Sequence, residues 1–352
     1  MRVTVDKSVF DQYGTNCVPT DSFHDFLMNM ELKKSYVLST DPSINAGDVQ
    51  SKLDYLEFLV FSGIVSRSIN QPTEPHSSDC VVIVGGQQDD IDKRFAPTEI
   101  NEYLNSPATI VVENGKNDGC FVRAIMKHFA PSINFEEQLS NSFVVIDPAS
   151  GSGAKSRIEY FLNIHHDQPK YLRCLVIVDG DKRFPGDNTY GSYQTQQTDG
   201  AYFQSKNVAY HVLEKRAMEN YMPDEVFEHN RNVFSDDWVN AYLYLTEEQK
   251  DYYYIAEGFQ KDIPNYKRQA QIYDWQDLPN GIQTLYRDVV QTANYHHLLK
   301  QPYHHGNFKN DFPVYFVNSP YVYKDSLLRR SPCNASGKSE LEEIAEKIRQ
   351  LL

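Results

Sequence analysis

The sequence has little cysteine, and none of it is paired. Its five cysteines, Cys17, Cys80, Cys120, Cys174 and Cys333, show no C-x-x-C spacing. An odd, scattered set of thiols argues against a disulfide framework and makes a reducing, cytoplasmic setting the expectation. Long apolar runs are missing as well. No window approaches the roughly 18 residues of a membrane span, and no basic flank leads into an apolar N-terminal stretch, so no membrane partner is expected. An excess of positive charge is also absent. Lys and Arg number 34 against 48 Asp and Glu, for a net charge of −14. Such a balance argues against simple electrostatic wrapping of nucleic acid, but it leaves room for a site where bound cations invert the local sign. There is no internal repeat and no low-complexity tract.

What is present is ample material for a core. The 352 residues suffice for two domains or one elaborated domain, and 40% of them are hydrophobic, with 24 tyrosines. Residues 1–106 read as a mixed N-terminal region. In it, "KLDYLEFLVFSGIV" has Leu53, Leu56, Leu59 and Val60 at helical spacing, "CVVIVGG" reads as a strand and "INQPTEPHSSD" as a loop. From residue 107 to 223 the pattern is regular. Strands "ATIVVEN", "NSFVVIDP", "YLRCLVIVDGD" and "NVAYHV" alternate with helices "DGCFVRAIMKHF" and "SGAKSRIEYFLNI", and "FPGDNTYGSYQTQQTDG" reads as a loop. This alternation, with continuous apolar runs, predicts an α/β core: a parallel four-stranded sheet flanked by helices. Residues 224–352 read as a helical region rich in tyrosine. Its tail, "KSELEEIAEKIRQLL", is amphipathic through Leu341, Ile344, Ile348 and Leu351.

The chemistry gathers at strand ends. Ligands of open parallel sheets collect beyond the carboxyl ends of the strands. The first strand ends at Glu113, with Asp118 just beyond, and the third ends at Asp179 and Asp181. If these strands are neighbours, four carboxylates meet at one rim, as hard oxygen ligands for Mg²⁺ or Mn²⁺. A D-G-D after a strand is also ordinary turn chemistry; the second acid cluster tips the balance toward metal. Gly180 is expected to let the backbone pass close to metal or phosphate. Past the fourth strand, "LEKRAMENY" sets Lys215 and Arg216 before Glu219, so Lys215 is the candidate for stabilising charge on a phosphoryl oxygen. The alternative for that run is a solvated helix start with an internal ion pair.

This layout resembles the Toprim domain of topoisomerases, bacterial primases and OLD-type nucleases. Glu113, Gly115 and Asp118 match its first acidic motif, Asp179 and Asp181 its Asp-x-Asp, and "LEKRAMENY" the basic-then-"ENY" segment of the OLD-type branch. Two departures stand out: Asn114 splits the usual Glu-Gly pair, and Arg183 stands where a longer D-x-D-x-D form has its third acid. The resemblance implies a Toprim-like core and a Mg²⁺- or Mn²⁺-dependent nuclease. Glu113, Asp179 and Asp181 would be its ligands, Asp118 and Glu219 secondary ones, and Lys215 would join the catalytic set. Lys116, Lys182, Arg183 and Arg216 would meet the nucleic acid. DNA is the favoured target, with RNA, including tRNA, as the other. The resemblance further implies an antiphage defence effector working with an ATPase partner in trans, and it leaves homo-oligomer formation open.

Other readings compete. "SGSGAKS" suggests a phosphate loop, but Ala154 replaces the required glycine and none lies at the upstream offset, so it reads as a turn into a helix. The pairs His165–His166, His296–His297 and His304–His305 have adjacent side chains that do not share a ligand, which argues against zinc. With Tyr295, Tyr303 and Lys300, the later pairs could form an aromatic and basic surface or plain helix ends. A D-x-D also serves glycosyltransferases that hold a metal-bound nucleotide sugar, but that reading gives Glu113 and "EKRAMENY" no role. A non-catalytic interaction subunit is the third alternative.

Overall fold

The computed structural model describes residues 2–32, 36–69, 80–85, 93–149, 153–165, 167–271, 274–300, 302–303, 308–335 and 337–352. Among these residues the chain forms two four-stranded parallel sheets flanked by helices. The loop read over 70–79, the histidines His166, His304 and His305, and the glycine-rich start Ser150–Ser152 lie outside the described residues.

The N-terminal region is more regular than the sequence suggests. Strands β1 (Arg2–Val5), β2 (Val37–Thr40), β3 (Cys80–Ile83) and β4 (Arg94–Phe95) pair in the order β2-β1-β3-β4. Helices Thr20–Leu32, Tyr55–Ile69 and Pro97–Asn105 bring Phe23, Phe26, Phe61, Ile64 and Ile100 into one core with Val3, Val5 and Ile83. The helix over Tyr55–Ile69 exists, but the spacing of Leu53, Leu56, Leu59 and Val60 does not mark its buried face. Leu56 is 69% and Leu59 48% exposed, and Leu53 precedes the helix. The inward stripe is Glu57, Phe61, Ile64 and Ser68. Two polar residues disguise it, each satisfied inside: Glu57 accepts from the Tyr13 hydroxyl at 2.5 Å, and Ser68 Oγ from the Leu38 amide at 2.8 Å.

The second sheet follows the expected alternation. Strands β5 (Ala108–Val112), β6 (Val144–Pro148), β7 (Cys174–Val178) and β8 (Ala209–Val212) are all parallel, in the order β6-β5-β7-β8. Helices Asn117–Phe129 and Ala154–Ile164 make the first two crossovers. The third crossover corrects the sequence reading: helix Gly191–Ser205 occupies most of the stretch read as a loop. Its composition carries almost no apolar period, because it buries only Gln196, Gly200 and Phe203. Docking on β8 through that narrow strip holds it. The sheet is buried on both faces, as its continuous apolar runs require. Ile110, Val112, Leu175 and Ile177 enter the large core shared with the C-terminal region, while Val111, Cys174 and Val176 pack with Ile158, Leu162 and Phe203.

The C-terminal region is helical, but in short pieces. Its middle is built of Glu247–Tyr252, Asn280–Leu285, Arg287–Val290 and Asn294–Leu298, with turns between. Aromatic packing holds these pieces, with Trp238 stacked on Tyr242 at 4.9 Å and Phe227 against both. Tyr295 and Tyr303 belong to this core at 7% and 9% exposure, so they offer no aromatic surface to nucleic acid. The tail helix Glu340–Leu351 packs inward on Asn117–Phe129 and β7. No helix among the described residues is long and apolar enough to cross a membrane.

One buried cation joins the regions. Arg173, just before β7, donates to the carbonyls of Tyr103 (3.4 Å), Ser106 (2.8 Å) and Leu351 (2.8 Å) and to the Tyr36 hydroxyl (3.0 Å). These partners come from the N-terminal region, the segment entering β5, and the tail helix. Arg173→Met keeps most of the volume but strands these acceptors. We expect a loss of about 3 kcal/mol, visible as an earlier thermal or urea transition; an unchanged transition would refute this joining role.

Candidate metal centre

The second sheet's topology decides where its acids meet. From β5 the chain crosses to β6 on one side, and from β7 to β8 on the other. Adjacent strands whose connections diverge leave a crevice at their carboxyl ends, the usual ligand position in such sheets. β5 and β7 are those strands, paired Ile110↔Leu175 and Val111↔Val176. Glu113 follows β5 directly and Asp179 follows β7 directly, so the two acids stand at neighbouring ends of one crevice.

The remaining acids arrive by local turns. Asn114 shapes the first: its Oδ1 accepts from the amides of Lys116 (3.2 Å) and Asn117 (3.3 Å) and leads into helix Asn117–Phe129. Asp118, in the first turn, reaches back so that its Oδ2 accepts from the Asn114 amide at 2.8 Å. The residue that splits the Glu-Gly pair thus serves as the hinge of this turn. After β7 the chain stays locked to the exit of β8. The Gly180 amide donates to the Lys215 carbonyl at 3.2 Å and the Asp181 amide to the Arg216 carbonyl at 2.8 Å. A Cβ at Gly180 would lie 2.2 Å from the Lys215 carbonyl oxygen and 2.4 Å from that of Leu213. Glycine is therefore required for approach to a neighbouring backbone, which corrects the expectation of approach to metal or phosphate. Asp181 adopts a left-handed conformation, φ 55°, which costs about 1 kcal/mol for a non-glycine residue and is best tolerated by Asp or Asn. Glu219 lies in the 3₁₀ turn Met218–Tyr221, whose first amide donates to Asp179 Oδ1 at 3.0 Å.

The electrostatics follow from this crowding. Burial first, and then the charges of Glu113, Glu219, Asp118 and Asp181, hold the Asp179 carboxyl well above its ordinary range. Burial pushes Asp118 up to about 6, against the pull of the Asn114 and Glu113 backbone. Asp181 is raised by burial and drawn back by Arg216 and Lys261. Among the described residues no three Asp, Glu, His or Cys side chains already stand as a metal's ligand set. The edge holds a group of oxygen donors that repel one another, and that donor chemistry fits Mg²⁺ or Mn²⁺.

The predicted cations fare differently. Lys215 is buried in an ion pair with Asp251, which also accepts from Arg330 at 3.0 Å. Its assignment as the charge on a phosphoryl oxygen is therefore corrected: desolvation demanded a partner, and Asp251 supplies it. Arg216 forms a buried two-pronged pair with Asp262, both bonds 2.8 Å, and Arg183 binds Asp187 at 2.7 Å and covers the Tyr190 ring at 4.5 Å. These two arginines brace loops and are not a free nucleic-acid surface. Lys182 lies 5.1 Å over the Tyr193 ring, and Lys116 is exposed beside Gly115.

Three residues that sequence reasoning passed over face the acids. Lys261 lowers the Asp181 pKa, and the Tyr254 phenol is raised by burial and then by Glu219, with Asp179 also contributing. Gln196 donates to Asp181 Oδ2 at 3.0 Å. No motif marks them; proximity to the acids does. No family model, curated protein or solved structure matches the chain.

A carboxyl whose folded pKa is raised favours folding while protonated and opposes it once ionised. For Asp118, with a folded value of about 6 against an ordinary 3.8, this opposition sets in as pH rises above the ordinary value and is complete above about 6. Two outcomes follow for the metal-free protein. Asp179→Asn should raise its melting temperature at pH 7 by about 2 °C or more, and stabilisation by added Mg²⁺ should be larger at pH 7 than at pH 4.5. Scanning calorimetry at both pH values checks this; an Asn variant less stable than the parent at pH 7 would contradict the repulsion.

Proposed function

We propose that the protein is a divalent-metal-dependent nuclease that hydrolyses phosphodiester bonds, with DNA the favoured substrate and RNA, including tRNA, the other. The observation that carries this is the adjacency of β5 and β7, which sets Glu113 beside Asp179 at the crevice where the sheet's connections diverge. Glu113, Asp179 and Asp181 would hold Mg²⁺ or Mn²⁺, with Asp118 and Glu219 as outer members. The ion supplies an acidified water and charge neutralisation at the phosphoryl oxygens.

The chain's own residues do the rest. The Met218 amide fixes Asp179, and Gln196 fixes Asp181, so two carboxylates are aimed before any substrate arrives. Lys261, about one-third exposed, near Asp181 and held by a long 3.4 Å pair with the partly exposed Glu257, takes over the part expected of the buried Lys215: a cation able to meet the charge that grows on a non-bridging oxygen. The acidic surroundings repel a nucleic-acid backbone unless a cation is bound, which makes binding as well as cleavage depend on metal. The Toprim resemblance adds the wider proposal of an antiphage effector that works with an ATPase in trans.

Two experiments test this reading. Asp179→Asn combined with Asp181→Asn should abolish Mg²⁺-dependent cleavage of DNA and RNA while circular dichroism stays unchanged; full cleavage by the folded double variant ends the proposal. Separately, Lys261→Ala should lower kcat about 100-fold with little change in melting temperature. Lys215→Met should instead destabilise the fold by about 3 kcal/mol, since it leaves Asp251 short of a buried partner. The reverse pattern would restore Lys215 to the site.

A further inference from the structure

Beside the acidic edge lies a cavity of about 470 Å³, with Glu113 and Asp181 on its border. Its apolar walls are Val178 and Val212, at the ends of β7 and β8. Tyr210 adds an aromatic ring, and the helix Gly191–Ser205 leaves room for it: a Cβ on Gly200 would come within 3.0 Å of that ring. The same helix lines the cavity with Ser192, Gln196 and Asp199.

These polar groups are mostly acceptors. Gln196, only 8% exposed, points its amide nitrogen at Asp181, and its buried Oε1 has no partner among the described residues. The opposite amide orientation would set two oxygens against each other, so the carboxylate fixes Oε1 as an acceptor in need of a donor. Asp199 adds a carboxylate. A phosphate would be repelled here, while a flat, neutral ring would find apolar walls, an aromatic face and acceptors for its N–H groups. A cavity of this size falls in the range of small-ligand pockets.

We propose that this cavity receives the base of the nucleotide next to the cut, and that it prefers bases bearing an exocyclic amino group over uracil or thymine. The inference rests on the nuclease reading for the word "cut", but base binding can be measured without cleavage. A base taken out of its stack and held against an aromatic ring is stabilised by that stacking, whatever its sequence. An unpaired buried acceptor then discriminates against a base that presents a carbonyl in place of an amine.

The test uses the full chain and free nucleosides: adenosine, cytidine and uridine, followed by saturation-transfer NMR titration without metal. The expected result is binding of adenosine and cytidine about tenfold tighter than uridine. Ser192→Trp should fill the space and remove binding of all three. Asp199→Asn should weaken adenosine and cytidine while leaving uridine unchanged, and it decides the matter alone if circular dichroism shows the Trp variant misfolded. Equal binding of the three nucleosides, no binding, or affinities indifferent to the folded variants would overturn the pocket. In parallel, Mn²⁺-dependent cleavage of mixed-sequence oligonucleotides is measured. Nucleoside binding as expected with no cleavage of any oligonucleotide would refute the nuclease reading and leave the pocket standing. Cleavage without nucleoside selectivity would do the reverse.

Discussion

Four carboxylates press on a fifth at one edge of the second sheet. Asp179 carries the combined weight of Glu113, Glu219, Asp118 and Asp181, and it does so where burial already disfavours its charge. The arrangement comes from topology. Two strands that are not consecutive in sequence pair side by side, and each ends its apolar run in an acid. Arg216 and Lys261 draw the Asp181 carboxyl back, while the charges acting on Asp179 all raise it. The nearby cations are themselves paired with other carboxylates: Lys215 with Asp251, Arg216 with Asp262, Arg183 with Asp187 and Lys261 with Glu257. The fold thus spends these cations on the framework and leaves its anions crowded at a crevice.

Those framework pairs also explain how a region of short helices keeps its shape. Arg330 reaches Glu247 and Asp251, and Lys250 reaches Asp224 and Glu247, all with the basic member buried. Short helices bring little stability of their own. Here they are fixed by an aromatic core on one side and by charge pairs of defined geometry at their ends. Asn220 closes the arrangement: its amide donates to the Lys250 and Tyr253 carbonyls at 2.6 and 2.7 Å, tying the turn that carries Glu219 to the helix beneath.

How much of this was legible follows from where each signal lives. Strands β5 to β8 are written locally, as apolar runs with acids or turns at their ends, so the sheet, Glu113, Asp179 and Asp181 can be read directly. Strands β1 and β2 are four residues each, RVTV and VLST, too short and too mixed to register. The helix Gly191–Ser205 stays hidden because its buried strip is a glutamine, a glycine and one phenylalanine. Lys215 shows the limit most clearly. The run "EKR" announces charge, but its partner Asp251 stands 36 residues later, and only folding tells which carboxylate a lysine meets. Lys261, Tyr254 and Gln196 are silent for the same reason: each is ordinary in its own segment and acquires meaning from its neighbours.

The tail helix gives the acidic edge a timetable. Glu340, at its first turn, accepts from His211 Nε2 at 2.8 Å and from the Glu214 amide at 2.7 Å, and it takes the Tyr221 hydroxyl as well. It thereby grips both the end of β8 and the turn that presents Glu219. These partners precede it by 119 to 129 residues. During synthesis the sheet and its acids leave the ribosome long before the residue that clamps them, so a nascent chain holds the components of the crevice without its last brace. Assembly of the edge is thus deferred until the tail helix has been made.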